Sequence, residues 1–167
     1  MSTVITSAEA LRAVQLLASR PLVRLVTEID DNGPIPPRRL AATLPDLSTH
    51  QVRTASETAR AHGLIQIVPG AGLELTQTGL ELADLYDEMA RWARRHGIPA
   101  PVCEFSSRIR YVLGLLAPSL TGERVDSPTP PGGVEDEAGL ARPQRLLLQW
   151  LADNPQVAGV SEPEPVA

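Results

Sequence analysis

The chain has 167 residues, 43% of them hydrophobic, which is the size of one domain with room for a core. Its 15 basic and 20 acidic residues leave a formal net charge of -5, so no basic excess advertises nucleic acid. No apolar run approaches the roughly 18–20 residues needed to cross a bilayer, which argues against membrane insertion.

The first helix signal is Thr6-Ser7-Ala8-Glu9, a capping-box spacing that opens a helix to about Ser19 with Leu11, Val14, Leu17 and Ala18 at helical spacing. Pro21 suits the first position of a second helix striped by Leu22, Leu25, Val26 and Ile29, and Asp31-Asn32-Gly33-Pro34 ends it. Residues 36–44 fit a short helix closed by Pro45. Ser48 is a good N-cap for the next helix, which puts Val52, Ala55, Ser56 and Ala59 on one side and stops at Gly63.

The hydrophobic period then changes. Leu64 to Val68 reads as a strand, Pro69-Gly70-Ala71-Gly72 as a tight turn and Leu73 to Thr76 as the returning strand. A second capping box, Thr78 with Glu81, opens a helix to about His96 carrying Leu82, Leu85, Tyr86, Met89 and Ala93, before Gly97 stops it. After a Pro99-Ala100-Pro101 spacer, residues 104–117 give one more helix with Ile109, Val112, Leu113 and Leu116 as its apolar side, and Pro118 closes the domain.

The remaining chain is expected to be a flexible tail. Residues 118–167 hold 3 Arg and 8 acidic residues, against 12 of each in residues 1–117, so the acidity belongs to this end. Residues 121–139 are rich in Pro, Gly and acid, residues 142–153 suit a short helix around Leu147 and Trp150, and residues 154–167 read as disordered.

Several chemistries have no carrier in the sequence. His50, His62 and His96 lack metal-ligand spacing with Cys103 or the carboxylates, so neither a metal nor a cofactor is expected. The single cysteine, Cys103, excludes an internal disulfide and reads as a structural thiol rather than a redox sensor. Nucleophile, P-loop and dinucleotide motifs are missing, so an enzyme is not expected. The opening stretch lacks the basic and apolar regions of a signal peptide, which favours a cytoplasmic location. Every basic residue is Arg, as a GC-rich coding sequence produces without selection on function.

The element order is that of a winged helix-turn-helix: mainly α with a small two-stranded β-hairpin as the wing, and flanking helices. Gly33, Leu40, Leu44-Pro45-Asp46-Leu47-Ser48, Gly63-Leu64-Ile65 and Leu75-Thr76-Gln77-Thr78-Gly79 resemble the pattern of winged-helix regulators of the MarR and HxlR type over residues 20–96. The departures are Ser56 and Ala59 where the family places large apolar residues, and a neutral wing. The topology also resembles the N-terminal dimerisation domain of small-molecule O-methyltransferases, but no cofactor loop follows.

The resemblance implies a flanking helix over 1–19, the winged domain over 20–97 and a dimerisation helix over 98–118, while composition assigns the tail over 119–167. It implies double-stranded DNA as partner, a homodimer built on the terminal helices, and no membrane. With Val52 at the core centre, His50, Arg53, Thr54 and Glu57 face away, with Thr49 and Gln51 on the flanks. Thr49, His50, Gln51, Arg53 and Thr54 are therefore the candidate base readers. Arg53 suits guanine and Gln51 adenine, each good bidentate pair being worth about 1–3 kcal/mol of discrimination. Phosphate contacts fall to Arg38, Arg39, Ser48 and Arg60, the first two helped by the N–H groups of a helix start. An ordinary solvated face accounts for the same residues, and a winged-helix interaction or ligand-binding module without DNA is the competing function. Trp92, Phe105 and Tyr111 are candidates for a small-molecule effector pocket at the dimer helices, although core filling explains them equally.

Overall fold

Helix α1 (Ser7–Leu17) begins where the Glu9 N–H donates to the Thr6 hydroxyl (3.2 Å) and the Thr6 N–H donates to the Glu9 carboxylate (2.7 Å), the reciprocal box expected from the spacing. The structure, a computed structural model, describes residues 6–96, 105–120 and 134–158. Helix α2 (Arg20–Asn32) carries Pro21 in its first turn and ends on Gly33 at φ 87°. A 3-10 turn (Pro37–Arg39) leads into α3 (Leu40–Thr43), and α4 (Thr49–Ala61) follows. The hairpin pairs β1 (Ile65–Val68) with β2 (Gly72–Leu75), Ile65 opposite Leu75 and Val68 opposite Gly72. Ile35 adds a one-residue bridge to β2, exchanging hydrogen bonds of 3.1 and 2.8 Å with Leu73. Gly72 is obligatory beside it, since a Cβ there would collide with the Ile35 carbonyl and its φ is 109°.

Helix α5 (Gln77–Arg95) is the central post. Leu82, Tyr86 and Met89 on it are fully buried, and the Tyr86 hydroxyl donates to the Leu17 carbonyl (2.7 Å), tying α5 to the end of α1. The capping box expected at Thr78 and Glu81 is not the one used. Thr76 is the N-cap, accepting the Gly79 N–H at 3.2 Å, because its hydroxyl also donates to the Gly63 carbonyl and so joins the helix start to the end of α4.

Two further helices complete the core. Helix α6 (Phe105–Leu120) runs through Pro118, which does not end it, and α7 (Val134–Asp153) is followed by a 3-10 turn (Pro155–Ala158). The segment from residue 134 to 158 is not the free tail expected. Leu147, Trp150, Leu151 and Val157 are buried in the same apolar cluster as α2, α5 and α6. The Trp150 indole donates to the Thr78 carbonyl (3.2 Å), and the Gln156 amide reaches the His62 carbonyl at the end of α4 (3.3 Å). The Pro/Gly-rich stretch at 121–133, the Gly97 to Pro101 stop and spacer, Cys103 and residues 159–167 lie outside the described residues.

This packing covers, within one chain, apolar sides of the helices beside which the resemblance places a dimer. Leu82, Leu85 and Met89 on α5, and Ile109, Val112 and Leu116 on α6, are covered within one chain. Among the described residues, the large apolar side chains left exposed on α1, α6 and α7 are Leu11, Tyr111, Leu115 and Leu146.

Candidate functional site

The site is built on α4. Ser48 caps it by accepting the Gln51 N–H (3.1 Å), and Gln51 answers by accepting the Ser48 N–H on its side-chain oxygen (2.9 Å). The buried face is Val52, Ala55 and Ala59, small side chains that let α4 lie close against α2. In the turn ahead of α4, Leu44 and Leu47 are buried between the helices.

The same turn is held by ions the sequence did not reveal. Arg24 grips Asp46 bidentately, its Nε at 2.9 Å from one carboxylate oxygen and its Nη2 at 3.0 Å from the other, and Arg20 adds a contact at 3.1 Å. Hydrogen bonding from Arg24 holds the Asp46 carboxyl below the usual aspartate range. In the sequence Asp46 is legible only as part of the turn Leu44-Pro45-Asp46-Leu47-Ser48, not as an ion-pair partner. Its partners are 22 and 26 positions earlier, and only sign complementarity linked them.

The expected readers divide into two groups. Thr49, His50, Arg53 and Thr54 are exposed on α4, and Glu57 is exposed beside them. Gln51 is exposed too, but its carbonyl oxygen is committed to the cap, so the two-pronged amide pairing with adenine requires breaking that box. The Ser48 hydroxyl accepts within the cap. Arg38, Arg39, Arg53 and Arg60 are exposed and form no ion pair among the described residues.

One part of the expected phosphate site is corrected. Pro36 and Pro37 have no N–H to offer, and the Arg39 N–H is taken by the Pro36 carbonyl (2.8 Å) in a 3-10 turn. The arginine side chains, not a fan of helix N–H groups, are what this corner presents. The hairpin is neutral at its tip, with Gly70 at φ 83° and Ile67 exposed.

The Gly-Leu-Ile and Leu-Thr-x-x-Gly signals prove to be architectural. The Thr76 N–H donates to the Leu64 carbonyl (3.0 Å), and a Cβ on Gly79 would collide with that same carbonyl. These residues close the hairpin onto α4 and α5: Leu64, Ile65, Leu75 and Gly79 are buried, while Gly63 and Gln77 are exposed.

Two clefts flank these elements. A cleft of about 470 Å³ between α1 and α4 is lined by Arg12, Gln15, Ser19, His50, Thr54 and Thr58. Another, of about 500 Å³, opens between α5 and α7. Trp92, Phe105 and Tyr111 line neither. Trp92 is buried and stacks on His96 with ring centroids 4.3 Å apart, Phe105 is half-buried and Tyr111 is exposed, so within one chain the three do not line a common cleft among the described residues.

Among the described residues no group of three or more His, Cys, Asp or Glu side chains is disposed to hold a metal ion, and no helix is long and apolar enough to cross a membrane. No family model matches the chain, and no curated protein and no solved structure matches it.

Proposed function

We propose that the chain is a winged-helix transcriptional regulator, resembling the MarR and HxlR type, that binds double-stranded DNA as a homodimer with α4 in the major groove. The observation that supports this reading best is the outer face of α4. Thr49, His50, Arg53 and Thr54 stand exposed on a helix whose leading turn is latched by Asp46, with Arg38, Arg39 and Arg60 unpaired among the described residues. Arg53 reads a guanine edge, His50, Thr49 and Thr54 contact neighbouring bases or phosphates, and the flanking arginines neutralise the backbone. The Ile35 bridge to β2 supports the wing, since it gives the hairpin the third short strand a winged helix carries between its first and second helices.

Contact with phosphate makes affinity salt-dependent, with a logarithmic slope of about -0.9 per phosphate neutralised. Fluorescence anisotropy of a labelled duplex against the full chain tests this. The expected result is a steep salt slope that becomes shallower in Arg38→Ala/Arg39→Ala. A slope near zero, or one unchanged in the double variant, contradicts the assignment.

A second reading, a winged-helix module that binds a protein instead of DNA, is favoured by the neutral hairpin, the exposed Ile67 and Glu57 on the outer face of α4. On that reading the arginines are dispensable. The dimer is assigned to the exposed α6 face around Tyr111 and Leu115. Sedimentation is expected to give a dimer that Leu115→Arg converts to monomer, and a monomeric wild type contradicts it.

A further inference from the structure

Helix α7 runs antiparallel to α5, as Arg142 beside Glu88 and Trp150 beside Thr78 require, and the two helices leave a cleft of about 500 Å³ between them. Its apolar wall comes from Leu85, Trp150 and Leu146, the last still 38% exposed. Carboxylates stand around this wall, and their pairing is uneven. Arg91 and Arg142 both turn to Glu88, at 3.1 and 3.5 Å, and Gln149 satisfies Asp153 at 3.1 Å. Asp84 and Asp87 are left with no ion pair or hydrogen bond to a side chain among the described residues.

The field around these two is more negative still. Asp30 and Asp31 at the C-terminal end of α2, the negative end of its dipole, act on Asp87 together with Asp84, and Arg91, drawn to Glu88, offsets them only in part. Partial burial, the largest cause, and these neighbouring carboxylates push the Asp87 carboxyl above the usual aspartate range. A cation entering the cleft relieves this repulsion, while an apolar body covers Leu146 and the edge of Trp150. A pocket with an apolar wall, a few convergent polar groups and a perturbed carboxyl is the usual form of a small-molecule site.

We propose that the cleft between α5 and α7 binds a small organic cation with an apolar body, an amine or quaternary onium group carried on an aromatic frame. The apolar wall disfavours a bare inorganic ion, and the unpaired Asp84 and Asp87 disfavour an anion of the same shape. The proposal stands independently of DNA binding, since none of these residues lies on the outer face of α4.

Isothermal titration of the full chain with tetraphenylphosphonium and with tetraphenylborate, matched in shape and opposite in charge, tests it. Saturable one-to-one binding of the phosphonium is expected, with the borate weaker by about tenfold or more. Asp84→Asn/Asp87→Asn, which removes only unpaired charge and relieves repulsion, is expected to weaken phosphonium binding by about tenfold with helical circular dichroism unchanged. Leu146→Arg, which places a cation on the exposed wall, is expected to abolish it. Absence of saturable phosphonium binding, equal binding of both ions, or unchanged affinity in either folded variant overturns the proposal.

Discussion

The segment from Leu40 to Gly79 and the segment from Leu140 to Val157 are both well packed, but by different means. In the first, contacts are short in sequence: the Ser48–Gln51 box, the hairpin register, and Thr76 joining the ends of α4 and α5. In the second, the fixing contacts span long separations, 72 positions from Trp150 to Thr78 and 94 from Gln156 to His62. Local devices carry residue signatures, whereas a helix that docks from far away carries only an apolar side. The apolar side around Leu147 and Trp150 was legible as a short helix, but the acidic, Pro/Gly-rich stretch ahead of it gave no sign of where that side docks.

The sharpest way to break the comparison is to end the chain at Leu120. This removes Leu147, Trp150, Leu151 and Val157 from the core. At about 1.5–3 kcal/mol per buried side chain, the loss is on the order of the whole stability of a small domain. Thermal denaturation followed by circular dichroism is expected to show the cooperative transition lost or strongly lowered. An unchanged melting temperature means that the segment is the free tail its composition suggests.

Trp150→Ala is the next largest expected effect, about 3–5 kcal/mol in urea unfolding, from the cavity and the lost bond to Thr78. A cost below about 1 kcal/mol contradicts the packing of α7 on α5. Within the first segment, Gly79→Ala forces a methyl group onto the Leu64 carbonyl and is expected to cost about 1–3 kcal/mol. Gly114→Ala on the outer side of α6, where a Cβ meets nothing within 4 Å, is expected to stabilise by about 0.5–1 kcal/mol. Equal effects at the two glycines remove the architectural reading of the Leu-Thr-x-x-Gly pattern.

The smallest effect is expected at the latch. Asp46→Asn weakens two partly exposed ion pairs, with an expected cost of about 1 kcal/mol at neutral pH. Because the folded state lowers the Asp46 pKa, its contribution is present above the unfolded value near 3.8 and lost as the pH falls through the folded one. The gap between wild type and variant therefore closes in acid. Asp30 and Asp87, whose pKa values are raised, act in the opposite sense, so protonating them stabilises the fold. A gap that persists undiminished at low pH contradicts the latch.

Legibility in the sequence follows the same division. The helices from α1 to α5 and the hairpin are within a few residues of their expected places because caps, prolines and period changes act locally. The outward face of α4 was legible from Val52 outward, since a helix buries one side. Gln51 reaches back to Ser48, a bond that competes with any use in readout, and a glutamine three residues after a serine cap is the signal that was present. The Asp46 latch and the Ile35 bridge depend on tertiary pairing and had no local mark. Trp92 and Tyr111 share a helical neighbourhood in the sequence, yet one points into the core and the other to solvent.

The most direct test of the proposed function is selection of bound fragments from the source genome by the wild-type chain and by Arg53→Ala in parallel. Enrichment of a short two-fold symmetric site by the wild type, lost in a variant that melts at the same temperature, is the expected result. An absence of enrichment at any salt concentration, or the same site selected by both proteins, contradicts base reading by α4.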